Sequence, residues 1–155
     1  MGAAYDLRSM DEHLTLAPAV ADAIALAGTE AAQQGAGAVA PEHLLCALVI
    51  VAAEDVCSLL GTPVDVAAVT DRSHGLAGAG EPADGPLPLA HGTLAVLEVA
   101  LREAAAGGGE VAVEHLLLGL LEAAPDACAH VLFDAAAVRR TVRRAAAAAR
   151  ATRLD

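Results

Sequence analysis

The stretch Pro41-Glu42-His43-Leu44-Leu45-Cys46-Ala47-Leu48 returns 72 residues later as Val113-Glu114-His115-Leu116-Leu117-Leu118-Gly119-Leu120. Its flanks return in the same order. Thr29-Glu30-Ala31-Ala32 matches Arg102-Glu103-Ala104-Ala105, Ile24 falls on Leu97 and Leu16 on Leu89, all at an offset of 73. Downstream, Asp65-Val66-Ala67-Ala68-Val69 matches Asp134-Ala135-Ala136-Ala137-Val138 at an offset of 69. Matches that keep their order over about 55 residues, with offsets that change only where a loop tolerates insertions, identify an internal duplication.

Each copy reads as helical. Of the 155 residues 41 are alanine, the residue that loses no side-chain entropy in a helix, and only one Tyr and one Phe are present. The core is therefore built from Ala, Leu and Val in closely packed helices, and the fold class is all-α. Four helices are expected per copy: a long one (17–34 and 90–106), a second opening at Glu-His, a short third, and a fourth after Asp65 or Asp134, which suit N-cap positions. Val20, Ile24, Ala27 and Ala31 share one face of the first long helix, as Thr93, Leu97, Ala100 and Ala104 do in its counterpart. The loops Gly35-Ala36-Gly37 and Gly107-Gly108-Gly109 end these helices, glycine accepting the left-handed conformation of a helix end. Pro41 suits a first helical position and Glu42 the first turn; Val113 and Glu114 take the equivalent places. The expected organisation is an N-terminal extension (1–13), a first repeat (14–72), a Gly/Pro-rich linker (73–88), and a second repeat (89–155) ending in an Arg-rich helix.

The composition excludes several chemistries. All nine basic residues are arginine, so there is no lysine for a phosphate-binding Walker A loop or for a Schiff base. A net charge of −11 opposes nucleic acids and anionic membranes, which are bound mainly through their phosphates. The charge is uneven: six arginines and one acid give residues 139–155 a charge of +5, leaving three arginines and nineteen acids, −16, for the rest. The longest apolar run, Leu44 to Ala53, is ten residues, about half of a membrane span. Cys46, Cys57 and Cys128 are odd in number and lack Cys-x-x-Cys spacing, and no signal segment opens the chain, which fits a reduced cytoplasm.

Nothing groups a nucleophile, a base and an oxyanion donor. The serines are Ser9, Ser58 and Ser73, and the adjacent acids Glu54 and Asp55 splay apart on a helix, so no enzyme and no cofactor is expected. His43 has Cys46 one turn on, but the second copy carries Leu118 there, so His43 and His115 read as packed or capping residues before metal ligands. Glu30 and Glu103 recur before the glycine loops as solvated acids.

The tandem Glu-His-Leu-Leu-x-x-Leu, each preceded by a long helix ending in Glu-Ala and a glycine loop, resembles the double N-terminal domain of the Clp family of AAA+ unfoldases over about residues 14–150. The resemblance implies two four-helix repeats related by a pseudo-twofold axis. It also implies a role, since in that family the domain precedes the ATPase rings and receives substrates or adaptor proteins. The chain, lacking the rings, is expected to be a stand-alone regulator or adaptor, a decoy, or part of a longer Clp ATPase subunit, with protein or peptide degrons, Clp adaptors or Clp subunits as partners.

Some relatives bind phosphoarginine through the glutamate of each Glu-His pair, here Glu42 and Glu114 beside His43 and His115. A carboxylate accepts a guanidinium in a bidentate pair, and a basic peptide suits the same groups. Pro41 and Val113 stand where the family has threonine, and Ala17, Ala19, Ala90 and Gly92 where each repeat opens with threonine and arginine. Other relatives bind cyclic peptide antibiotics through a phenylalanine opening each repeat. Leu16 and Leu89 hold those places and keep an apolar contact without a ring, so a small-molecule sequestering protein is the alternative reading.

Overall fold

The computed structural model describes residues 15–61, 63–76, 86–106 and 110–131, together with helical positions 140, 143, 144, 147, 148 and 151. Among the described residues the bounded elements are seven helices and two short strands: β1 (Thr15–Leu16), α1 (Pro18–Gln33), α2 (Pro41–Val51), α3 (Ala53–Leu60), α4 (Val66–Leu76), α5 (His91–Ala106), β2 (Glu110–Val111), α6 (Val113–Ala123) and α7 (Pro125–Val131). The all-α expectation holds, and the first copy carries its four helices. The fourth helix expected after Asp134, the loop 107–109 and the extension 1–13 lie outside the described residues.

α2 and α6 form the centre. A helix apolar on all sides is stable only when surrounded, and His43 through Val49 and His115 through Leu121 are buried without interruption. α1 packs on α2 and α5 on α6, each laying its alanine stripe against the leucines. On α1 the fully buried stripe is Val20, Ala23, Ala27 and Ala31. Ile24, expected in that stripe, sits at its edge and is half-buried, while Ala23 and Ala27 are fully buried. On α5 the expected Thr93, Leu97, Ala100 and Ala104 are all buried, joined by Val96.

The helix ends follow local chemistry. Gly35 takes φ 72°, and the bonds Ala36 N–H to Ala31 O (3.0 Å) and Gly35 N–H to Ala32 O (3.2 Å) close α1 as a Schellman motif. Asp65 Oδ1 accepts the Ala68 N–H at 3.2 Å, the N-cap expected for α4. α4 continues through Leu76, so the segment from Ser73 to Leu76, expected in the linker, is helical.

Two short backbone pairings tie the copies together. β1 pairs in parallel with β2, Leu16 opposite Val111, and Leu89 forms a parallel bridge with Val39. Leu16 and Leu89 are equivalent in the duplication, as are Val39 and Val111, so the second pairing is the first with the repeats exchanged. That reciprocity is the signature of a pseudo-twofold axis.

Candidate functional site

α2 and α6 each begin where their own repeat meets the other, and both use a histidine as a cap. Their N-cap residues, Ala40 and Ala112, have no side-chain acceptor, so the third helical residue does the capping. His43 Nδ1 accepts the Ala40 N–H at 2.9 Å, and His115 Nδ1 accepts the Ala112 N–H at 3.0 Å. This is one half of a capping box, with imidazole in the place usually taken by Glu or Gln. With Nδ1 accepting, Nε2 of His43 carries the proton and donates to Gln34 Oε1 at 3.1 Å. Both rings are buried, 5% and 4% exposed, which is the capping role expected of them.

Turning the histidines inward leaves the preceding glutamates, in the first turns of α2 and α6, half-exposed. Glu114 lies in an open groove of about 530 Å³ with three walls. Ala17, Pro18 and Ala19 come from the start of α1, Asp55, Ser58 and Leu59 from α3, and Ala112 and Val113 from the start of α6. Two carboxylates and a hydroxyl thus share a lining with small apolar groups. The two carboxylates make this lining negative, and Ala17 and Ala19 put only small side chains into it.

The pseudo-equivalent place at Glu42 differs. A Cβ added to Gly92 would lie 3.2 Å from Pro41 Cγ, so the proline ring packs directly on the backbone that opens α5. Pro41 also lacks the N–H that Val113 offers at the first helical position.

The two leucines take different surroundings. Leu16 is half-buried within β1. Leu89 is half-buried on the wall of a second groove of about 500 Å³, with Ile24, Ala25, Gly28, Thr29, Ala32 and Gln33 along α1 and with Val39, Pro86 and Leu87 beside it. That groove is mainly apolar and passes over Gly28, where a Cβ would meet no atom within 4 Å.

Among the described residues no cluster of three or more His, Cys, Asp or Glu can hold a metal ion, and no single helix is long and apolar enough to cross a membrane. Sequence reasoning passed over Asp55, Ser58 and Leu59, reading Asp55 as one solvated acid of a pair. Only the packing of α3 on α6 brings them to Glu114, and no local motif marks that contact.

The comparisons with known proteins agree with this architecture. The family model described as the Clp repeat (R) N-terminal domain matches residues 14–135. A solved structure from a malarial protein secretion system is 20% identical, covers 85% of this chain and 95% of its own, and superposes with a TM-score of 0.67. The Hsp104 N-terminal domain from Candida albicans is 19% identical, with coverages of 84% and 89% and a TM-score of 0.66. At these identities the structures speak to the fold alone. No curated protein sequence matches the chain closely enough to count as a relative. Clp N-terminal domains are linked to substrate recognition in Clp and Hsp100 chaperone systems. The match of the family model over well more than half of the sequence, on a fold of two interlocked helical repeats, shows that the chain belongs to the Clp repeat N-terminal domain family.

Proposed function

We propose that the chain is a non-catalytic recognition module, a regulator or adaptor of Clp-type protein unfolding and degradation, that receives a segment of a protein substrate or partner at the Glu114 groove. The observation that carries this reading is the groove itself: Glu114 and Asp55 line one concavity with room for a side chain, between the start of α1, α3 and the start of α6. A guanidinium satisfies a carboxylate by two parallel hydrogen bonds, and the partly apolar walls strengthen the attraction relative to open water. Two acids in one lining disfavour a phosphate on the same ligand, so an unmodified arginine in a basic segment suits the groove better than phosphoarginine. The cytoplasm is the setting proposed for this role, which three cysteines without Cys-x-x-Cys spacing suit.

The test is capture from a cytoplasmic lysate with the 155-residue chain as bait, compared with Glu42→Ala/Glu114→Ala. Recovery of Clp subunits, adaptors or a defined substrate set, lost in the variant, supports the proposal. Equal recovery with both baits removes the glutamates from it, and robust ATP turnover or peptide cleavage by the pure chain removes the module reading.

A second reading rests on the apolar groove beneath Leu89, whose volume and lining suit a cyclic peptide antibiotic. It makes the chain a sequestering or decoy protein. Leu89→Asp weakens such a ligand and spares a basic peptide at Glu114.

A further inference from the structure

The contacts that join the two repeats are made twice, once in each direction. Ala17 N–H donates to Val111 O at 2.9 Å, and its equivalent, Ala90 N–H, donates to Val39 O at 3.0 Å. Neither bond lies within a repeat: each copy lends its opening segment to the residues that precede the central helix of the other. Thr93 Oγ1, buried, adds a bond to Val39 O at 2.7 Å across the same boundary. Behind these joints α3 packs on α6, α2 on α5, α6 and α7, and α4 on α7, so the core runs across the boundary without a break. An interface in which patch a meets patch b while b meets a is isologous, the arrangement of a twofold dimer. Val39 and Val111 are 4% and 1% exposed because segments of the opposite repeat lie beside them. Between Leu76, the end of α4, and Pro86 the covalent connection is the nine residues 77–85.

We propose that the two repeats are exchangeable subunits, and that the face each presents to the other also fits a second copy of this chain, so that two chains can assemble by trading repeats. The joints need no new surface for this, because the first repeat of one chain meets the second repeat of another through the bonds that close the monomer. The tether sets the balance. A short connection holds its own partner at an effective concentration of the order of millimolar, which keeps the intact chain monomeric at ordinary concentrations. Cutting the tether, or refolding at high concentration, releases the exchange. The Glu114 groove is shared in the same way, with Ala17–Ala19 and α3 from one repeat and α6 from the other, so a ligand there touches both and opposes exchange.

The experiment uses the whole chain with a protease recognition sequence placed within 77–85, folded and then cut. Cut ¹⁵N-labelled protein is mixed with cut unlabelled protein tagged on its second half, carried through the melting midpoint, cooled, and captured by the tag. The expected result is that the cut halves elute as one particle with the helicity of the uncut chain, that their melting midpoint falls on dilution, and that captured second halves carry ¹⁵N-labelled first halves. Thr93→Val raises the dissociation constant of the cut pair about fivefold, the loss of one hydrogen bond, and leaves the uncut chain folded. Halves that separate and lose helix, captured second halves that carry only unlabelled first halves, or a cut pair indifferent to Thr93→Val would overturn the proposal.

Discussion

The carbonyl oxygen of Val96 lies 2.3 Å from the position a Cβ on Gly119 would take, so α5 and α6 meet backbone against backbone at this point. The equivalent pair in the first repeat is Ala23 and Ala47, both fully buried, where a methyl group is accommodated between α1 and α2. The duplication has thus been packed in two ways, with a valine over a glycine in one copy and an alanine on an alanine in the other. Gly119→Ala is expected to destabilise the chain by about 1–3 kcal/mol, the usual cost of overpacking, since a backbone carbonyl cannot swing aside. Its gain in helix propensity, about 1 kcal/mol, offsets part of this. A chemical denaturation series reads the difference, and a midpoint raised by the full propensity gain would contradict the backbone contact.

Nδ1 of His43 and Nδ1 of His115 each accept the backbone N–H that opens their helix. Each cap contributes about 1 kcal/mol, so His43→Ala or His115→Ala lowers stability by about that amount. A denaturation midpoint unchanged in either variant would show that the rings do not cap through Nδ1.

Arg143, in the arginine-rich C-terminal segment, pairs with Glu122 near the end of α6. The guanidinium side is 60% exposed and the carboxylate side 24%, a geometry in which an ion pair contributes less than about 1 kcal/mol. Arg143→Ala should move the melting midpoint by no more than a degree or two at 0.15 M salt, and less at 1 M. A large loss of stability would mean that the C-terminal segment is held by much more than this pair.

Most of the helical framework was legible in the residues because it depends on local chemistry. The repeated Glu-His pair marks the start of each central helix, the alanine spacing marks the buried faces, and Gly35 marks the end of α1. The joints were not legible. Thr15–Leu16 is a two-residue strand whose only cause is a partner nearly a hundred residues away, and two residues carry no periodicity of their own. Ile24 was read as core because it lies within a turn of the buried stripe; the fold instead turns it toward the groove beneath Leu89. At the candidate site Glu114 was visible from the duplication. Asp55 was not, since it reaches the groove only through the packing of α3 on α6.

Calorimetric titration of the intact chain with a short arginine-containing peptide shows whether the Glu114 groove receives a guanidinium-bearing side chain. Binding at one site per chain is expected, weakened at least about tenfold by Glu114→Gln and much less by Glu42→Gln, with both variants within about 1 kcal/mol of wild type in stability. Replacing the arginine by phosphoarginine should weaken the peptide. Binding that survives Glu114→Gln unchanged, or that prefers the phosphorylated peptide, would contradict the proposed recognition at Glu114.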